Sequence, residues 1–184
     1  MEWHIVLVPF TPLQPENIRR WTPLLTRHVP LAERNWAVTD PILAPEPAYT
    51  IRRRQWHAPW LIDIVSRPPF SAGEFRIGIH PGDLYIPGFN FVFGLAEPSR
   101  RTAVIGLSRL RSPDPAITQH RIITEILHEL GHLLGLQHCR EPRCTMYFSN
   151  TVEDTDRKGP GFCQRCRHRL GHRLQMDTTR ARTR

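Results

Sequence analysis

Lysine is almost missing from this chain of 184 residues: Lys158 is the only one, and every other side chain in the Lys+Arg total of 25 is an arginine. Cysteine is missing from the first 138 residues; the four present are Cys139, Cys144, Cys163 and Cys166. No apolar run approaches the roughly 18 residues a membrane-spanning helix needs, so none is expected. The opening stretch MEWHIVLVPF lacks a basic n-region and a small-residue cleavage site, so it reads as a first strand rather than a signal peptide, and a cytoplasmic location is expected. No internal repeat is found. The net charge of +8 comes from scattered arginines that thicken only in the last segment. Without interleaved aromatics, they read as solvated surface plus a basic tail, and no nucleic-acid partner is expected.

What is there suits one domain of ordinary size, expected as a monomer. Its organisation reads as an N-terminal subdomain over 1–135 and a C-terminal subdomain over 136–184. HIVLVPF (His4 to Phe10) predicts a buried strand, and the apolar spacing of Ile18, Trp21, Leu24 and Leu25 predicts a helix over 15–29 despite Pro23. NWAVTDPIL predicts a second strand. RRRQWHAPWLIDIVSR predicts a helix whose start Pro59 delays. In FRIGIHP, Phe75, Ile77 and Ile79 alternate with Arg76, Gly78 and His80, the period-2 pattern of a strand. A short strand is expected over 90–93 and another in RTAVIGLSRL. Asp114-Pro115 offers an N-cap and a first helical proline, and apolar residues from Ile122 to Leu134 predict a long helix behind them. A last helix is expected over 166–174. Strands and helices thus mix first and a loop-rich tail follows, which is an α/β pattern with a small C-terminal lobe.

His128, Glu129 and His132 form H-E-x-x-H inside the long helix. At about 3.6 residues per turn, the two histidines lie roughly 40° apart on one face and about 6 Å apart along the axis. That spacing lets both imidazoles hold one ion. Glu129 lies about 100° round from His128, placed to take a proton from a water rather than to bind the metal. Gly135 can end the helix in a left-handed turn and bring His138 back towards the pair. Three histidines and one open position make a catalytic zinc arrangement. Cys139-x4-Cys144 and Cys163-x2-Cys166 have the form of a closed, structural four-cysteine zinc site; disulfides or free thiols are the competing readings. Adjacent His138 and Cys139 would then face different ions, giving two zinc ions per chain. His168 and His172, one turn apart, read as surface residues.

H-E-x-x-H-x-x-G-x-x-H with an immediate cysteine, C-x4-C-x-M and a downstream C-x2-C resembles the archaemetzincins, a family of metzincin zinc metallopeptidases. DLYIPGFNFVFG (Asp83 to Gly94) is also similar to the segment that family carries before its active-site helix. The resemblance implies an α/β (α+β) metzincin-like zincin: a mixed twisted sheet, two main helices over the active-site cleft and a small zinc-stapled C-terminal lobe. It implies His128, His132 and His138 on the catalytic zinc and Glu129 as general base. It places Met146 in a methionine turn beneath that zinc and Cys139, Cys144, Cys163 and Cys166 on the structural zinc. A tyrosine that assists in several metzincins is replaced here by Phe148, and Tyr147 reads as a packing residue. The implied substrate is a peptide or protein, bound as an added strand along a sheet edge around 90–95. A peptide-binding protein with little turnover and a hydrolase of non-peptide amides are the rival functions.

Overall fold

The computed structural model describes residues 3–67 and 69–172. In chain order these give β1 (His4–Pro9), α1 (Pro15–Arg19), α2 (Thr22–Thr26), β2 (Trp36–Val38), β3 (Tyr49–Thr50), β4 (Gln55–His57) and α3 (Ala58–Val65). Then follow β5 (Glu74–His80), β6 (Leu84–Tyr85), β7 (Gly94–Glu97), β8 (Thr102–Gly106), α4 (Pro115–Leu133) and α5 (Val152–Arg157). Residues 164–172 are helical; the expected helix ran to Leu174, and its last two residues lie outside the described ones. So does the basic tail. Among the described residues no helix is long and apolar enough to cross a membrane.

The main sheet has the order β2-β1-β5-β8-β7. The first four strands are parallel and β7 runs antiparallel to β8 at the edge. This is the mixed sheet the sequence implied. Parallel strands need both faces covered. Here α3 packs on one side, with Ala58, Leu61, Ile62 and Val65 in the core beside Val104. On the other side α4 buries Ile122, Ile123, Ile126, Leu127 and Leu130 against Ile77, Ala103 and Ile105. This second core continues into the C-terminal segment through Cys139, Cys144, Met146, Phe162 and Leu170.

Four local expectations are corrected. The helix over 15–29 is two five-residue helices, because Pro23 has no N–H for the carbonyl of Arg19; the Thr22 hydroxyl donates to that carbonyl instead, at 2.9 Å. Arg52 to His57 do not join a helix. They form the turn and second strand of an antiparallel pair, β3 with β4, and α3 begins at Ala58 with Pro59 in its first turn. β5 does not alternate between core and solvent: Gly78 and His80 are as buried as Ile77 and Ile79, since helices cover both faces. The edge strand begins at Gly94, not at Asn90. The chain before it turns at Gly88, where φ is 87°, and folds back so that Val92 bridges Leu84.

That folded-back segment hangs from a second, three-stranded sheet, β3-β4-β6. Arg53 donates to the carbonyls of Phe89 and Asn90 at 2.7 and 2.9 Å, and Gln55 donates to Asn90 O at 2.9 Å. Asp83 receives Arg109 at 2.7 Å, and Arg109 lies over the Phe91 ring. Residues 86–93 thereby become a fixed wall rather than a loose loop.

Candidate active site

Asp114 caps α4 by accepting from the Ala116 N–H at 2.8 Å. From Ile122 the helix is buried almost continuously between the sheet and the C-terminal segment. It carries His128, Glu129 and His132 into a cleft of about 750 Å³ whose other walls include Phe89, Phe91, Leu95 and Phe148. Gly135 turns the chain with φ 83°, a conformation that favours glycine, and the Leu136 N–H bonds back to Gly131 O at 2.8 Å. His138 is thereby returned to the helix: its Nε2 lies 3.2 Å from that of His132, which in turn lies 3.1 Å from that of His128.

The other ring nitrogens decide what those close approaches mean. His128 Nδ1 lies 2.7 Å from the Thr145 carbonyl and His132 Nδ1 lies 2.9 Å from the Leu136 carbonyl. A carbonyl only accepts, so both Nδ1 atoms carry the hydrogen and both Nε2 atoms present lone pairs. Two lone pairs 3.1 Å apart repel unless a cation lies between them. Two nitrogens each about 2.0–2.1 Å from a tetrahedral zinc would be about 3.3 Å apart. The donor set therefore fits a zinc-sized ion, with the ring orientations already set by backbone carbonyls.

Met146 is fully buried, and Gly131 makes room for it. A Cβ at 131 would collide with the Met146 sulfur. A glycine in the middle of a helix costs about 1 kcal/mol relative to alanine; here it admits the methionine to the helix surface. Tyr147 is half-buried. Phe148 packs its ring 4.8 Å from that of His138 and stays 45% exposed at the rim.

Glu129 lines the cleft, and its carboxyl is held well above the ordinary range by burial first and by Glu125 second, against a smaller opposing pull from Lys158. Burial, then Lys158 and His132, holds His128 well below the usual imidazole range. Lys158 is fully buried. Its Nζ pairs with Glu125 Oε1 at 2.8 Å, donates to the Tyr147 carbonyl at 3.3 Å and sits 3.3 Å from His128 Nδ1. The chain reaches that point through α5, which has a capping box from Thr151 and Asp154 and is tied to α4 by Arg121 on both oxygens of Asp156. The sequence singles out Lys158 as the only lysine, but neither it nor Glu125 was given a role in the site. The signal was available: a single lysine among so many arginines marks a place where a compact ammonium fits and a guanidinium does not.

The four cysteines also meet. All their Sγ atoms lie within 4.8 Å of one another, and those of Cys139 and Cys163 are 3.8 Å apart. None is in a disulfide. Sulfurs about 2.3 Å from a tetrahedral zinc would be separated by about 3.8 Å. Burial raises the Cys139 thiol, but hydrogen bonds from the Glu141 backbone and from Arg165 outweigh it and bring the pKa to about 7. Burial and the nearby Cys144 raise that of Cys166. His168 and His172 are exposed and meet edge to face outside the cluster.

The same fold is found in solved structures that include a zinc-dependent peptidase. The archaemetzincin crystal structure from Methanopyrus kandleri superposes with a TM-score of 0.83 at 34% identity, covering 95% of this chain and 96% of that one. A zinc-dependent peptidase from Methanocorpusculum labreanum gives 0.78 at 27% identity, covering 90% and 99%. In sequence, the archaemetzincin of M. kandleri is 42% identical over 71% of this chain and 74% of its own, and that of Aeropyrum pernix is 41% identical over 73% and 75%. Residues 70–172 match the model of peptidase family M54. The chain belongs to that family, the archaemetzincins.

Proposed function

We propose that the protein is a zinc-dependent peptidase of the metzincin type with one catalytic and one structural zinc. The observation that carries this reading is the convergence of three imidazole nitrogens within 3.1–3.2 Å steps, in a cleft that Glu129 shares. When bound at His128, His132 and His138, zinc supplies Lewis acidity, polarising a carbonyl and lowering the pKa of water to about 7. The substrate backbone pairs as an added antiparallel strand with the exposed edge β7. The Glu129 carboxylate takes the proton of the attacking water and returns it to the leaving amine; the burial that raises its pKa suits it to hold that proton. Met146 floors the site, and Phe91 and Phe148 shield it from solvent.

Cys139, Cys144, Cys163 and Cys166 hold the structural zinc, for which four free, mostly buried thiols are suited. Thiols kept for a metal fit a reducing compartment, which supports a cytoplasmic reading. One chain supplies every residue of both clusters, in keeping with a monomer. Residues 1–135 and 136–184 act as two lobes of a single domain, joined by the core that runs from Ile105 to Met146.

The test is a proteome-derived peptide library incubated with wild type and with Glu129→Ala, cleavage being read by mass spectrometry. Cleavage by the wild type alone is expected. No cleavage by zinc-loaded wild type, with peptides still retained, would leave a peptide-binding protein.

A further inference from the structure

β7 begins where it passes Glu129, and the residue there is Gly94. Its backbone is ordinary strand: it pairs with Ile105 of β8, and its φ is not among the positive ones. Nothing in the conformation calls for glycine, and glycine inside a strand is about 0.5–1 kcal/mol worse than alanine. The space around it gives the reason. A Cβ at 94 would lie 2.5 Å from Glu129 Oε1 and 2.8 Å from both Cδ and Cγ, and its three nearest atoms all belong to that one side chain.

Among the described residues no hydrogen bond or ion pair reaches the Glu129 carboxylate. Its place is set by packing, and on the sheet side the packing surface is the bare Cα of Gly94. An added Cβ would meet Oε1, Cδ and Cγ of that one side chain, which would have to turn away. The cost would fall on the position of the carboxylate.

We propose that Gly94 is a positioning residue for the general base. By having no side chain, it lets Glu129 lie against the edge strand beside the backbone with which a substrate strand would pair. This inference rests on the peptidase reading for its kinetic consequence, but the placement of the carboxylate can be tested without turnover.

The experiment compares Gly94→Ala with wild type in four measurements: metal content, melting temperature, crystal structure and peptide hydrolysis. Gly94→Ala is expected to keep both metals and to melt at or above the wild-type temperature, with the Glu129 carboxylate displaced in the crystal. Its kcat should fall at least about tenfold, approaching the roughly hundredfold loss of a missing general base, with KM changed less than about threefold. In a Glu129→Ala background the same substitution should cost nothing further, which separates displacement of the base from obstruction of the substrate. Pairing Gly94→Ala with the shorter Glu129→Asp should recover part of the rate relative to Gly94→Ala alone. An undisplaced carboxylate in Gly94→Ala overturns the proposal, as does an equal loss of rate in the Glu129→Ala background. If the wild type cleaves nothing, the peptidase reading falls, while the crystal structures still decide where the carboxylate lies.

Discussion

The two candidate metal centres share a peptide bond, between His138 and Cys139, yet they are built in opposite ways. The histidine cluster is carried by a secondary-structure framework. Two of its members sit one turn apart on α4, their rings are aimed by the carbonyls of Thr145 and Leu136, and His138 opens to the cleft. The cysteine cluster has no such frame. Cys139, Cys144 and Cys163 come from irregular chain and only Cys166 from a helix, in its first turn; their Sγ atoms converge in a mostly buried knot. Packing prepares a place for an ion in the first; in the second, the ion would organise the packing. A metal that acts on substrate needs a rigid, open seat, whereas a metal that staples a lobe can rely on the ligands alone.

The largest effect should therefore come from the cysteines. A closed zinc site can contribute on the order of 10 kcal/mol of folding energy. Cys163→Ser should lower the melting temperature sharply and loosen residues from Cys139 onward in hydrogen exchange. It should also weaken the histidine site, because Thr145 and Met146 lie in the stapled segment. His132→Ala should remove one metal and leave the fold. If Cys163→Ser melts like wild type, the contrast between the two centres fails.

Next comes the buried ion pair. Lys158→Met leaves the Glu125 carboxylate without its cation in a closed interior, a change that typically costs about 3–5 kcal/mol. Lys158→Met with Glu125→Leu should regain much of the loss, measured by denaturant unfolding. No recovery in the double variant would mean that Lys158 stabilises through some contact other than Glu125.

His80 is a control outside both centres. Burial between Phe10 and Trp56 lowers its pKa to about 4, and its Nδ1 accepts the Gly82 N–H at 2.9 Å. The folded state keeps it neutral while the unfolded chain takes up a proton near pH 6.5, so stability is present above that pH and is lost as pH falls towards 4. The loss is about 3 kcal/mol. His80→Gln should flatten that part of the pH profile, and a chelator should not. If a chelator removes the slope, it belongs to the metal histidines.

Smallest in free energy, and decisive for function, is Glu129→Gln. It should retain both metals and the wild-type stability while turnover drops about a hundredfold, which is about 2.7 kcal/mol of barrier. Loss of a metal in this variant would make Glu129 a ligand and merge two roles that the geometry separates.

The candidate site residues were readable in the sequence because most are close in it: His128 to Met146 spans 19 positions, and helix periodicity with one glycine turn decides how they meet. Which residues would meet to support them was not readable. Lys158 meets Glu125 across 33 positions, and Gly94 meets Glu129 across 35; no local period encodes such pairs. The fold class followed from the mixture of strand and helix patterns. Its edge strand was misplaced by four residues, because the aromatic run before Gly94 looks like a strand and is instead folded back by the turn at Gly88. Pro23 was in plain view, and apolar spacing was allowed to outweigh its missing N–H.

The late position of Lys158 has a further consequence, for the order in which the molecule can be made. Synthesis delivers the N-terminal part first. The strands of the main sheet are complete once Gly106 has emerged, and the helix with its first two histidines once Leu133 has. At that moment the Thr145 carbonyl, Met146 and the Lys158 ammonium that pairs with Glu125 are still to come, as are His138 and all four thiols. A growing chain therefore has the edge proposed for substrate well before it has a finished metal seat, and the proposed hydrolytic cleft becomes possible only after most of the polypeptide has left the ribosome.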